Sequence, residues 1–201
     1  MYPHTRSVRE IATRIVYWGP SGSGKTETFR AVAARLDTAT LGPLLTPTDQ
    51  NDRTLFMDLL TIEMGALEGV PVRLHLVGLP GDASLNENAL AVMPGADGFV
   101  FVADSSPDRQ AQNRSSLESL RRHLVAIGAH DLPIVVQFNR RDAPGAVSAE
   151  QMAADLSVGP ENGDWFETNA LEGSGVIETL TAIAARVVRL LSAAAEERSQ
   201  T

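Results

Sequence analysis

Gly19, Gly24, Lys25 and Thr26 occupy the fixed points of the pattern G-x-x-x-x-G-K-[ST], written here Gly19-Pro-Ser-Gly-Ser-Gly24-Lys25-Thr26. Glycines let such a loop wrap, so that the backbone N–H groups along Ser21, Gly22, Ser23 and Gly24 turn inward as a nest for an anion at a helix N-terminus. Lys25 adds a point charge between a β- and a γ-phosphate, and the Thr26 hydroxyl suits a magnesium ion. The implied ligand is a nucleoside triphosphate with Mg2+.

A phosphate loop alone does not choose the base. Gln137-Phe138-Asn139-Arg140-Arg141-Asp142 ends the fifth expected strand, where guanine-nucleotide proteins carry N-K-x-D. The Asp142 carboxylate can accept from the guanine N1–H and 2-amino group, a donor pair adenine lacks. Asn139 would bind the base edge and tie down the phosphate loop. Arg140 stands in for a lysine whose stem packs over the base, and a guanidinium can stack there similarly though not identically. Asn169-Ala170-Leu171 falls where a last base-contacting loop is expected, with the Ala170 N–H toward the guanine oxygen.

Alternating strands and helices must position these groups. Arg14 to Trp18 reads as a strand running into the glycine loop, and Lys25 to Leu36 as a helix with Phe29, Val32, Ala33 and Leu36 on one face. Thr38 to Asn51, with Gly42, Pro43 and Pro47, reads as a loop. Thr54 to Leu60 and Val72 to Val77 read as strands, the second alternating as expected near a sheet edge or on a half-covered face. Gly98 to Ala103 and Leu132 to Phe138 are apolar runs suited to burial on both faces of a parallel sheet. Helices are expected from Asn113 to Ile127, from Ser148 to Leu156 with a capping-box start, and from Gly175 to Leu191, and a short strand at Trp165 to Thr168. Repeated βα units predict an α/β fold: a mostly parallel sheet with helices on both faces and ligands at the carboxyl ends of the strands.

The 201 residues are 43% hydrophobic and 21% charged, which suits a single globular domain with a core from about 14 to 191 and short flexible termini. Seventeen Lys and Arg against 25 Asp and Glu leave a net charge of −8, which argues against nucleic acid or an anionic membrane as partners. The short basic clusters Arg121-Arg122-His123 and Arg140-Arg141 read as solvated faces, and His75 and Trp18 as structural. Without cysteine there are no disulfides or thiolate metal sites. No apolar run approaches the roughly 18 residues of a membrane span, and MYPHTRSVREIATR lacks the apolar core of a signal peptide. The expected location is cytoplasmic.

From about Arg14 to Leu191 the chain resembles Ras-like small GTPases, and among them the MglA-type polarity GTPases of gliding bacteria. The stretches that carry the likeness are IVYWGPSGSGKT, DRTLFMDLL, RLHLVGLPG, DGFVFVADS, VVQFNRRD and GVIETLTAIA. The resemblance implies a P-loop NTPase with a Ras-like G domain, a cytoplasmic switch that is on with GTP and off with GDP. Its switch segments would lie near Leu44 to Leu60 and Leu79 to Met93. Thr54 would sense the γ-phosphate and magnesium, Gly81 would be among the nucleotide-binding residues, and Arg53 matches an arginine finger supplied in cis. The usual partner is a small roadblock-fold, MglB-like dimer that promotes hydrolysis, with recruitment to the cell pole by partners.

Three departures shape the expected chemistry. Ordinary small GTPases place D-x-x-G after the third strand, whereas Gly78-Leu79-Pro80-Gly81 has no carboxylate; Asp58 on the adjacent strand is a candidate to supply that charge, the alternative being a plain surface strand residue. The family glutamine that orients the attacking water is Asp82 here, which can accept that water's proton but opposes the phosphate's charge. Ser21 replaces a glycine of fast-hydrolysing relatives and crowds the space beside the γ-phosphate. Intrinsic hydrolysis is expected to be slow. The alternatives are a pseudo-GTPase that never cycles and, from another class, a P-loop kinase or ATPase.

Overall fold

The structure is a computed structural model and describes residues 10–45, 57–67, 69–81, 93–159 and 164–199. Among them six strands form one sheet in the order β2-β3-β1-β4-β5-β6: β1 (Ile11–Trp18), β2 (Asp58–Leu67), β3 (Val70–Gly78), β4 (Gly98–Asp104), β5 (Ile134–Asn139) and β6 (Trp165–Glu167). The helices of the described residues are α1 (Lys25–Arg35), α2 (Gln110–Ala126), α3 (Ala149–Leu156) and α4 (Val176–Ser199).

The sheet is parallel from β3 through β6, and β2 pairs antiparallel to β3 at the edge. Burial on both faces accounts for the unbroken apolar runs: every residue of β4 is buried, as are five of the six of β5. In β1 the side chains alternate between two cores. Ile15 and Tyr17 join Phe29 and Val32 of α1 and Leu180, Ile183 and Val187 of α4 on one face. Val16 and Trp18 join Leu117, Leu120 and Leu124 of α2 and Met152 and Leu156 of α3 on the other. Tyr17 meets Phe29 edge-on, with ring centroids 5.0 Å apart. Complete burial raises the Tyr17 hydroxyl pKa well above its ordinary value and keeps the group neutral.

Three elements differ from the linear reading. The strand expected at Thr54 to Leu60 runs from Asp58 to Leu67, and its pairing with β3 shifts between Glu63 and Ala66; residues 54–56 lie outside the described residues. Val72 to Val77 lies near the sheet edge as expected, one strand in, and belongs to a longer strand from Val70 to Gly78. The stretch from Thr38, expected as loop, holds a 3-10 turn at Thr38–Thr40 and bridges to β2 at Leu41 and Leu45, the latter through reciprocal 2.9 Å backbone bonds with Leu59. His75 and Trp18 are structural as expected. His75 Nδ1 lies 3.0 Å from the Thr61 hydroxyl across the hairpin, and the Trp18 indole donates to Ser116 O at 3.1 Å. Ser148 caps α3, accepting from the Gln151 N–H at 3.2 Å.

Helix α4 crosses the start of β4 at Gly98, where a Cβ would stand 2.7 Å from Val187 Cγ2 and 3.0 Å from Ile183 Cδ1. Gly98→Ala should therefore overpack this junction and lower stability by about 1–3 kcal/mol. Denaturant unfolding of the GDP-loaded protein checks it; an unchanged midpoint would mean that α4 shifts at no cost.

Candidate functional site

The carboxyl ends of β1, β4 and β5 converge, and each delivers one part of the site. Residues Gly19 to Gly24 leave the buried end of β1 and turn into α1. Gly24 is the N-cap at φ 95°, with no side-chain cap on the helix, a conformation that favours glycine and leaves first-turn N–H groups available to an anion. A Cβ on Gly24 would overlap the Asn139 side-chain amide, and one on Gly19 would overlap the Val102 carbonyl. The phosphate loop thus sits directly against β4 and β5. Lys25 is buried and its Nζ donates to Gly19 O at 2.7 Å and Pro20 O at 2.9 Å, so the ammonium lies across the loop that the sequence pattern assigns to phosphate.

Thr26 Oγ1 donates to Asp58 Oδ2 at 2.8 Å. Asp58 is 2% exposed, so it is no surface strand residue. It is paired in register with Gly78, and a Cβ on Gly78 would lie 3.1 Å from both Asp58 Cβ and Asp58 Oδ2. The missing carboxylate of the third strand and the presence of Asp58 on the second are linked sterically. The resulting hydroxyl–carboxylate pair has the hard-oxygen character that Mg2+ requires, which with phosphates and water needs only one or two protein ligands.

At the end of β5, Asn139 is 2% exposed and serves three segments. Its Nδ2 donates to Ser23 O at 2.7 Å, and its Oδ1 accepts from Ala170 N at 2.9 Å and Thr168 Oγ1 at 3.1 Å. Asn139 therefore does tie the phosphate loop, and ties it to the last loop as well. The Ala170 N–H, expected to meet a guanine oxygen, is directed to Asn139 Oδ1. Asn169 is held by reciprocal 3.1 Å backbone bonds with Ser174. Arg140 and Asp142 follow on an exposed turn, with Arg140 at φ 64°; Leu171 is 75% exposed, an apolar group left at the surface beside them.

On the other side of the phosphate loop, Gly81 packs against Ser21 so closely that a Cβ would overlap the Ser21 backbone. Asp82 is the next residue along, and it lies outside the described residues, as do Arg53 and Thr54. The switch segments expected at Leu44 to Leu60 and Leu79 to Met93 are described at their ends only.

Asp104 and Arg109 belong to no site motif in the sequence, and Arg140, though exposed, and Arg141 have partners that a short basic cluster does not disclose. Asp104 ends the apolar strand β4 with a fully buried side chain. Arg140 Nη1 reaches it at 3.1 Å and Arg109 Nε at 3.8 Å, while Arg141 Nε pairs with Glu167 at 2.7 Å. These are not merely solvated cations, because their partners come from other elements. A signal was present: a carboxylate closing a wholly apolar strand must find cations once buried, and Arg109 lies five residues on.

No family model matches the chain. The mutual gliding-motility protein MglA of Myxococcus xanthus (strain DK1622) is 38% identical over 184 residues, covering 90% of this chain and 93% of that protein. ADP-ribosylation factor-like protein 6 of Caenorhabditis elegans is 25% identical over 126 residues, 58% of this chain and 63% of that protein. Elongation factor 4 of Amoebophilus asiaticus (strain 5a2) is 29% identical over 122 residues, 60% of this chain but 19% of that much longer protein. The first match runs nearly end to end, and the other two cover about three fifths of this chain. The chain belongs to the MglA family of Ras-like small GTPases, switches that bind guanine nucleotide and hydrolyse GTP.

Proposed function

We propose that this member of the family holds GTP better than it cleaves it and depends on a partner to turn over. The observation that carries this reading is the tight contact between Ser21 and Gly81. In this reading the Ser21 side chain takes up room beside the γ-phosphate that a water-positioning group needs, and the residue that follows Gly81 is an aspartate. Its carboxylate can take a proton from water but adds negative charge beside the γ-phosphate in the transition state.

In this reading Gly19, Ser21, Gly22, Ser23, Gly24 and Gly81 surround the phosphates, with Lys25 between the β- and γ-groups. Mg2+ would be held by Thr26 and Thr54 with Asp58 in support, and when bound it neutralises phosphate charge. Arg53 acts as the arginine supplied in cis. Asn139, Arg140 and Asp142 hold guanine from one side, with Asn169, Ala170 and exposed Leu171 forming the opposite wall. The regulatory partner is a roadblock-fold, MglB-like dimer. The protein works in the cytoplasm and is recruited by partners to the cell pole, in keeping with the gliding-motility role in the name of its Myxococcus relative. No described helix is long and apolar enough to cross a membrane.

Single-turnover GTP hydrolysis tests the central point. The wild type should be at or below roughly 10⁻⁴ per second, the scale of an unassisted Ras-like enzyme. Asp82→Gln should be faster by about tenfold, and Asp82→Gln with Ser21→Gly faster still. A fast wild type, or no gain in either variant, would overturn the reading. Tighter binding of ATP than of GTP would point to a kinase or ATPase instead.

A further inference from the structure

The base-binding and phosphate-binding loops meet at a buried carboxylate that neither needs for direct contact with a nucleotide. Asp104 has no exposed side-chain surface and accepts from the Ser106 N–H at 2.9 Å. Its backbone is locked by Asn113, which accepts from the Asp104 N–H at 3.0 Å and donates to its carbonyl at 2.8 Å. Two guanidiniums converge on this fixed charge from different loops. Arg140, of the base motif, lies at 3.1 Å, and Arg109, from the turn before α2, at 3.8 Å. A buried carboxylate of this kind is costly without such cations, so the three groups hold one another.

Arg109 extends the arrangement to the phosphate loop. Its Nη2 donates to the Ser21 carbonyl and stands 3.8 Å from where a Cβ on Gly22 would be. The Ser21 carbonyl and the Gly22 N–H belong to one peptide group. A cationic donor on the carbonyl polarises that peptide and makes the N–H a stronger donor to an anion.

We propose that Asp104 and Arg109 form a bracket behind the phosphate loop, in which Asp104 fixes Arg109 and Arg109 is a positioning residue that orients and polarises the Ser21–Gly22 peptide for the nucleotide's phosphates. Arg140 has its own, closer contact with the same carboxylate, which does not depend on Arg109. The inference rests on the guanine-nucleotide reading of the site and adds a role for residues that make no contact with the base.

The test uses the full chain loaded with a fluorescent GDP and measures its release. Arg109→Ala should speed release by roughly tenfold, the scale of one charge-assisted hydrogen bond. Arg109→Lys should recover part of that, since an ammonium keeps the charge but cannot serve Asp104 and Ser21 with one planar fork. Asp104→Asn should also speed release, and the double variant Asp104→Asn, Arg109→Ala should be no faster than the faster single one. The preference for GTP over ITP, which lacks the 2-amino group, should be unchanged in Arg109→Ala, because a residue acting through the phosphate loop leaves base selection alone. Unchanged release in Arg109→Ala, or additive effects of the two substitutions, would overturn the bracket. So would an alanine variant that lysine does not improve, or one with altered base preference. Failure of the wild type to bind GDP would instead overturn the nucleotide assignment on which it stands.

Discussion

Asn139→Ala should weaken binding of both GTP and GDP by two to three orders of magnitude, approximately, the largest effect expected from any side chain outside the phosphate loop. The side chain is 2% exposed and satisfies the Ser23 carbonyl, the Ala170 N–H and the Thr168 hydroxyl together. Truncation leaves these groups without that partner in a buried space, at about 1–3 kcal/mol for each one that finds no substitute. It also frees the phosphate loop from the end of β5 just where Gly24 touches the amide. Two such losses suffice for the stated range. Displacement of a fluorescent GDP measures the effect, and far-ultraviolet circular dichroism verifies that the sheet persists. Asn139→Asp is a stringent companion. It keeps acceptors for Ala170 and Thr168 but sets a carboxylate against the Ser23 carbonyl, so it should be nearly as damaging. A loss below about fivefold in Asn139→Ala would mean that the loops are held by contacts other than this amide.

Local pattern revealed the parts of the site whose spacing is imposed by one ligand. The phosphate loop and the N-x-x-D turn each lie within eight consecutive residues, so their chemistry can be read without the fold. Strands β4 and β5 were equally plain, because burial on both faces demands unbroken apolar residues. The outer half of β2 was not. Thr61, Glu63, Met64 and Gly65 at the sheet edge include residues that face solvent, and an exposed edge imposes little on sequence beyond avoiding aggregation. Its antiparallel pairing with β3 is the one departure from a parallel order among the described strands. Asp58 sat between two readings until the register placed it opposite Gly78. The Asp104 bracket is hidden for a related reason: Ser21, Arg109 and Arg140 come from three loops and Asp104 from the end of β4, and only the sheet order β1-β4-β5 brings them together. Long-range pairs of this kind are set by topology, which no local period reports.

Lys25→Ala should abolish useful GTP binding, with a loss of about a thousandfold or more. Two costs combine. The ammonium is the group expected between the β- and γ-phosphates, and each charge-assisted bond to phosphate contributes about 1.5–3 kcal/mol. The same Nζ donates to the carbonyls of Gly19 and Pro20, both in buried residues, so its removal also loosens the loop that should receive the anion. The two costs can be separated. Loss of the carbonyl contacts lowers the melting temperature of the nucleotide-free protein, whereas loss of the phosphate contacts removes the extra stability that added GTP confers through linkage. Lys25→Arg should not restore binding, because the longer planar fork must fit a position that is 7% exposed and enclosed by its own loop. If Lys25→Ala bound GTP within tenfold of wild type, the lysine would be a structural clamp on Gly19 and Pro20. The phosphate charge would then have to be met by backbone N–H groups and by cations from other segments.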